Sequence, residues 1–206
     1  ALSLLLLTSL SDLADAQIQR SFLNLGFEQP PLDSANCWSI RVASDLDPSA
    51  SGVPGWRTTE GPPNSTWNSA SHGTCGGHPE QPPPAGAIQM FKNNFNGVTA
   101  VDGVQWAELN AFTAARLYQT VCLLEGDKVE WYLHHRGRAS TDRMMFNIGP
   151  NPDGSGSTVI LRAQTSTGGV GEIAPNPNNP SELDCMGTCE VTTVNGWAKY
   201  SGSFDW

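Results

Sequence analysis

An all-β fold, an antiparallel β-sandwich of jelly-roll type, is the architecture this sequence predicts, and three observations carry it. Alternation of period two recurs along the chain: Val104, Trp106 and Glu108 against Gln105, Ala107 and Leu109, then Val129, Trp131, Leu133 and His135 against Glu130, Tyr132 and His134. No stretch shows the apolar repeat of an amphipathic helix. The 21 Gly and 15 Pro among 206 residues are spread as turn signals between apolar stretches, a share below the roughly 25–30% that marks low-complexity disorder.

From the N-terminus, residues 1–16 read as a signal peptide. Ala1 to Leu10 holds six leucines and no charge, and Ala14-Asp15-Ala16 supplies the small-residue pattern of a signal-peptidase site. The apolar run is about half of the roughly 20 residues that cross a bilayer, so export without membrane insertion is expected, to an extracellular or cell-surface location. Residues 17–206 then form one β-sandwich domain, of a size that buries one ordinary core. The expected strands are Phe22–Glu28, Gly55–Thr59, Ala87–Phe91, Arg116–Cys122, Arg143–Gly149, Thr158–Gln164 and a C-terminal run from Gly196 to Trp206, besides the two alternating segments. Turn signals such as Glu125-Gly126-Asp127, Pro152-Asp153-Gly154 and Thr167-Gly168-Gly169 separate them. The start lacks an initiator Met, and the end is strand material without a polar tail. The sequence is therefore expected to be a piece of a longer reading frame, lacking at least its last strand. Pro62–Pro84 and Pro175–Gly187, rich in Pro, Asn, Ser and Gly, are expected to be long loops.

Five cysteines in an exported chain predict disulfides. Cys37 with Cys75 and Cys185 with Cys189 would close the two long loops, though other connectivities stay open. Cys122 is left over, as a buried free thiol or as the partner of a cysteine outside this sequence. His72, Cys75 and His78 at three-residue steps offer possible zinc ligands, but their spacing matches no common zinc ribbon, and a disulfide at Cys75 would withdraw its sulfur.

With 11 basic residues against 20 acidic ones, the net charge of −9 repels phosphate backbones, so nucleic acid is not an expected partner. The densest polar cluster is His134-His135-Arg136-Gly137-Arg138, followed by Asp142 and Arg143. Alternation places His135 on the apolar face with Trp131 and Leu133, and His134 on the opposite one. With Glu108 and Asp142 the cluster could be an acid/base constellation. The competing reading is that Arg136 or Arg138 pairs with Asp142 or Glu108 to pin a strand end. No nucleophile elbow, His-Glu-x-x-His or phosphate-binding glycine loop is present. Seven tryptophans, Trp38, Trp56, Trp67, Trp106, Trp131, Trp197 and Trp206, are the other signal, since indole rings stack on the C–H faces of sugars and also fill cores. Trp106, Trp131 and Trp197 sit in alternating strands and belong to the core. Trp38 and Trp67 are expected to be more exposed, and Asn64-Ser65-Thr66 is a glycosylation sequon at Asn64.

The segments Asn24-Leu25-Gly26-Phe27-Glu28, Val53-Pro54-Gly55-Trp56-Arg57-Thr58-Thr59, Phe95-Asn96-Gly97-Val98, Asp102 to Ala111, Leu117-Tyr118-Gln119 and His135-Arg136-Gly137-Arg138, with Asp142 and Met144, resemble secreted bacterial surface domains. The likeness is to the non-repetitive ligand-binding domain of Csh-type fibrillar adhesins. It extends more distantly to galactose-binding-like jelly rolls, including carbohydrate-binding modules and the plant cell-wall DUF642 proteins. It covers about residues 21–149 and again Trp197 to Gly202. The resemblance implies a lectin-like sandwich that binds a glycan or glycoprotein partner without catalysis. It also implies that Glu28 helps hold a structural calcium, Ca2+, together with an acid of the last strand. The cysteines and the two long loops depart from the bacterial pattern.

The expected function is therefore that of an extracellular, non-catalytic carbohydrate- or glycoprotein-binding module, adhesin- or lectin-like. Trp67, Trp106, Asn110, His134, Arg136 and Arg138 would gather at a shallow site. The alternatives are a secreted polysaccharide hydrolase using Glu108 and Asp142 and a structural spacer in a longer surface protein.

Overall fold

The computed structural model describes residues 21–42, 52–59, 71–74, 87–109, 114–151 and 153–206. Among the described residues there are fourteen strands and no helix. They are β1 (Trp38–Val42), β2 (Arg57–Thr58), β3 (Ser71–Gly73), β4 (Ala87–Lys92), β5 (Gln105–Glu108), β6 (Leu117–Tyr118), β7 (Lys128–His135), β8 (Asp142–Ile148), β9 (Thr158–Thr165), β10 (Gly171–Ile173), β11 (Pro175–Asn176), β12 (Asn179–Leu183), β13 (Thr188–Val194) and β14 (Trp197–Asp205). All pairings are antiparallel, and the all-β class read from alternation holds.

Two three-stranded sheets, β13-β14-β7 and β10-β9-β8, lie face to face. Because successive side chains of a strand point to opposite faces, each sheet sends one row inward. Trp131, Leu133, Ala198, Tyr200 and Phe204 from the first meet Ile160, Ala163, Ile173 and Phe146 from the second. Trp131 tilts against Phe146 with ring centroids 5.3 Å apart. A four-stranded sheet, ordered β3-β1-β4-β5, buries both of its faces. Trp38, Ile40, Phe91 and Trp106 face Phe95, Val98, Ala100 and Trp197, whereas Ile88 and Met90 face Leu32 and Val53. Trp197 begins β14 and packs in the first of those clusters, so it ties the four-stranded sheet to the sandwich.

Alternation located β4, β5, β7, β8, β9 and β14 to within a residue or two. Other expectations fail for physical reasons. Phe22–Glu28 is a loop, because Asn24 and Phe27 take positive φ (49° and 58°) and the Asn24 side chain both donates to Gln29 O (2.7 Å) and accepts from Gln29 N (3.0 Å). Such local bonds compete with a ladder. Gly55–Thr59 and Arg116–Cys122 contribute only the two-residue pair β2–β6. The supposed loop at 175–187 contains the ribbon β11–β12 and precedes β13. Its prolines are tolerated because the ribbon is an exposed edge. Trp38, expected near the surface, is 6% exposed. Its indole lies over Gly73, where an added Cβ would come within 2.4 Å of the ring.

Candidate functional site

The strand β7 splits its side chains as alternation requires, and the two rows have different fates. On the inner side His135 is packed against the sandwich core, its Nδ1 2.8 Å from Thr165 Oγ1. Thr165 Oγ1 is 2.9 Å from the Tyr200 hydroxyl, which donates to Gln164 O (2.8 Å) and accepts from Glu172 N (3.2 Å). Thr165 and Tyr200 are fully buried, so the chain of bonds satisfies polar groups that would otherwise be stranded in the core. Burial, partly opposed by Asp142, holds the His135 imidazole below its ordinary pKa.

That depression gives a pH prediction. The unfolded chain binds the His135 proton more tightly than the folded one, so the stability tied to neutral His135 is complete above the unfolded value of about 6.5 and is lost as pH falls below it. Thermal melts from pH 7.5 down to 5 are expected to show a falling Tm, with a shallower slope in His135→Gln. An unchanged slope in the variant would assign the acid limb to other groups.

The turn after β7 is held by charge. Arg138 Nη1 stands 2.9 Å from both Glu108 oxygens, and the Glu108 side chain is only 13% exposed. The Arg138 N–H donates to Asp142 Oδ2 (3.0 Å), and Arg136 Nη1 donates to Gly196 O (3.0 Å). Both arginines are thus committed to joining β7 with β5, β8 and the β13–β14 turn. Glu108 and Asp142 are acceptors in that same clasp, which leaves them poorly placed as an acid/base pair. Trp106, included in the expected binding site, is a core residue instead. It is 9% exposed, stacks on Phe91 at 4.4 Å and meets the edge of Trp197 at 6.1 Å.

Glu28 uses Oε1 to accept two backbone bonds, from Val104 N (2.9 Å) and Gln105 N (3.0 Å). It therefore orders the entry to β5. Among the described residues no three His, Cys, Asp or Glu side chains come together as a cation site, and of the groups that the resemblance implies for calcium, Glu28 spends Oε1 on those two amides. Cys185 and Cys189 form the expected disulfide, Cys37 is disulfide-bonded, and Cys122 is a half-buried free thiol. Asn64, Trp67, Cys75, His78 and Asn110 lie outside the described residues, as does the side chain of His72.

The outer side of the same sheet presents a different surface. Register places Thr192, Lys199 and His134 in one cross-strand row, Glu190, Ser201 and Tyr132 in the next, and Thr188, Ser203 and Glu130 in a third. Tyr132 is 67% exposed, although it sits mid-strand. Its ring is held by Lys199 Nζ, 5.1 Å from the centroid, and by the His134 ring at 5.9 Å in an edge arrangement. Partial burial and the neighbouring Lys199 hold the His134 imidazole below its ordinary pKa, with Asp102 acting in the other direction. No family, curated protein or solved structure matches this chain. Of the expected site residues that the structure describes, His134 is the one on this face. Tyr132, Lys199 and Ser201 were not singled out in the sequence, although the alternation that placed His134 also places Tyr132 beside it.

A second polar surface lies on the outside of the opposite sheet. There Thr141, Gln164, Ser166, Val170 and Glu172 line an open depression of about 190 Å3, and Gln164 Nε2 donates to Glu172 (2.9 Å).

Proposed function

We propose that the protein is an extracellular, non-catalytic binding module for a carbohydrate or a glycosylated partner, and that the outer face of β13-β14-β7 is its binding surface. The observation that supports this most is the exposed Tyr132. A large aromatic ring left open on a strand face, with Lys199 and His134 beside it, forms a stacking platform whose neighbours restrict its rotamers before a ligand arrives. Hydroxyls and carboxylates in the adjoining rows supply hydrogen-bond partners for sugar oxygens.

The hydrolase reading is disfavoured by the engagement of Glu108 with Arg138. In the spacer reading nothing would bind, and that outcome is part of the test. Purified protein screened on a broad glycan array, with and without calcium, is expected to bind a defined glycan set, and Tyr132→Ala is expected to weaken that binding by about tenfold. The substitution removes a surface ring, so stability should stay within about 0.5 kcal/mol. A folded protein that binds no glycan would replace this reading with the spacer.

A further inference from the structure

We infer that the ligand of this face is a short, uncharged oligosaccharide lying parallel to β14 in a shallow trough, an inference that rests on the carbohydrate-binding reading. The trough follows from side-chain size across the three strands. The central strand β14 presents Ser201 and Ser203 outward, while β7 presents Glu130 and Tyr132 on one side and β13 presents Thr188 and Glu190 on the other. Small side chains along the middle strand make a floor, and larger ones on both neighbours make walls. With strands about 4.8 Å apart the walls stand roughly 10 Å from each other, and the floor runs for about 13 Å from Lys199 to Ser203. Lys199, half-buried and with its Nζ 5.1 Å from the Tyr132 ring centroid, closes one end.

The charge arrangement selects the ligand. Glu130 and Glu190 are exposed on opposite walls, Asp205 follows Ser203 on the floor strand, and the chain carries a net charge of −9. Lys128 and Glu130 stand 3.6 Å apart as a solvent-exposed pair, and Lys199 is the one cation on the floor strand. Burial and Lys199 favour the neutral form of His134. Carboxylates on both walls accept hydrogen bonds from sugar hydroxyls and repel uronate or sulfate groups, while the Lys199 ammonium donates to a ring or hydroxyl oxygen. A neutral glycan satisfies both walls at once. An acidic one satisfies only Lys199.

The test is titration calorimetry of the whole chain against neutral gluco-, xylo-, manno- and galacto-oligosaccharides, and against oligogalacturonate and heparin-derived oligosaccharides. At least one neutral series is expected to bind, with affinity rising from the monosaccharide to a short oligomer and then levelling off, and with no acidic series binding. Ser201→Tyr, which fills the floor with a side chain suited to strands, is expected to abolish binding while the melting profile stays intact. Glu190→Gln should weaken binding by about tenfold, whereas Glu172→Gln on the opposite sheet should leave it unchanged. Binding of the acidic series in preference, still lost in Tyr132→Ala, would overturn the neutral-ligand inference and leave the binding-module reading standing. Neutral binding that survives Ser201→Tyr in a folded protein would overturn the trough. Silence of every glycan would overturn both.

Discussion

Trp106→Ala is expected to lower stability by about 3–5 kcal/mol, the cost of removing a buried indole and leaving a cavity that its surroundings fill only in part. In a chain of this size that corresponds to a fall in Tm of about 10 °C or more. The indole lies between Phe91 and Trp197, so its loss loosens the place where the four-stranded sheet meets the first residue of β14. Denaturant and thermal melts measure the effect. Where the variant remains folded at low temperature, its glycan affinity should equal that of the parent, because Trp106 packs on Trp197, two cross-strand rows away from Tyr132 and Ser201. A stable variant that has lost ligand binding would return Trp106 to the binding surface.

Gly202→Ala is expected to cost about 3 kcal/mol, at the upper end of overpacking effects. A Cβ at Gly202 would come within 1.9 Å of Thr188 O and 2.9 Å of the Trp131 ring. The first of these contacts is with the backbone of the partner strand and cannot rotate away. Relief requires β13 and β14 to separate locally, or Trp131 to leave its seat against Phe146. Amide exchange should show the loss concentrated in β13 and the adjoining half of β14. A variant as stable as the parent would mean that the backbone there shifts freely.

Much of the fold is legible in the sequence because antiparallel strands with one buried face write their geometry as alternation. Val129, Trp131, Leu133 and His135 could be assigned to one side and His134 to the other without coordinates, and both rows lie where expected. The ion pair of Arg138 with Glu108 was visible as one reading of a polar cluster at a strand end. Strand β13 and its hairpin with β14 went unread, although Asn195-Gly196, whose positive φ values of 52° and 77° form the two-residue turn, was a local signal for it. The segment at Asn24 to Glu28 was misread, since a short run with apolar residues does not reveal that one asparagine side chain will close the backbone on itself.

What the amino-acid order by itself determined is the all-β class, four of the six sandwich strands (β7, β8, β9 and β14) and the face on which each residue of β7 falls, with Cys185–Cys189 as the preferred of several open pairings. Only the tertiary structure decided that Trp38 joins Trp106, Trp131 and Trp197 in the core, that Glu28 serves two backbone amides, and that Tyr132 stands exposed beside the serines of β14. The physical reason is that alternation assigns a side chain to one of two faces, whereas the sheet register and the layer that packs on each face decide whether it meets protein or water. Those are set by contacts between residues far apart in the chain, such as Tyr132 with Lys199 and Trp106 with Trp197, and no local pattern encodes them.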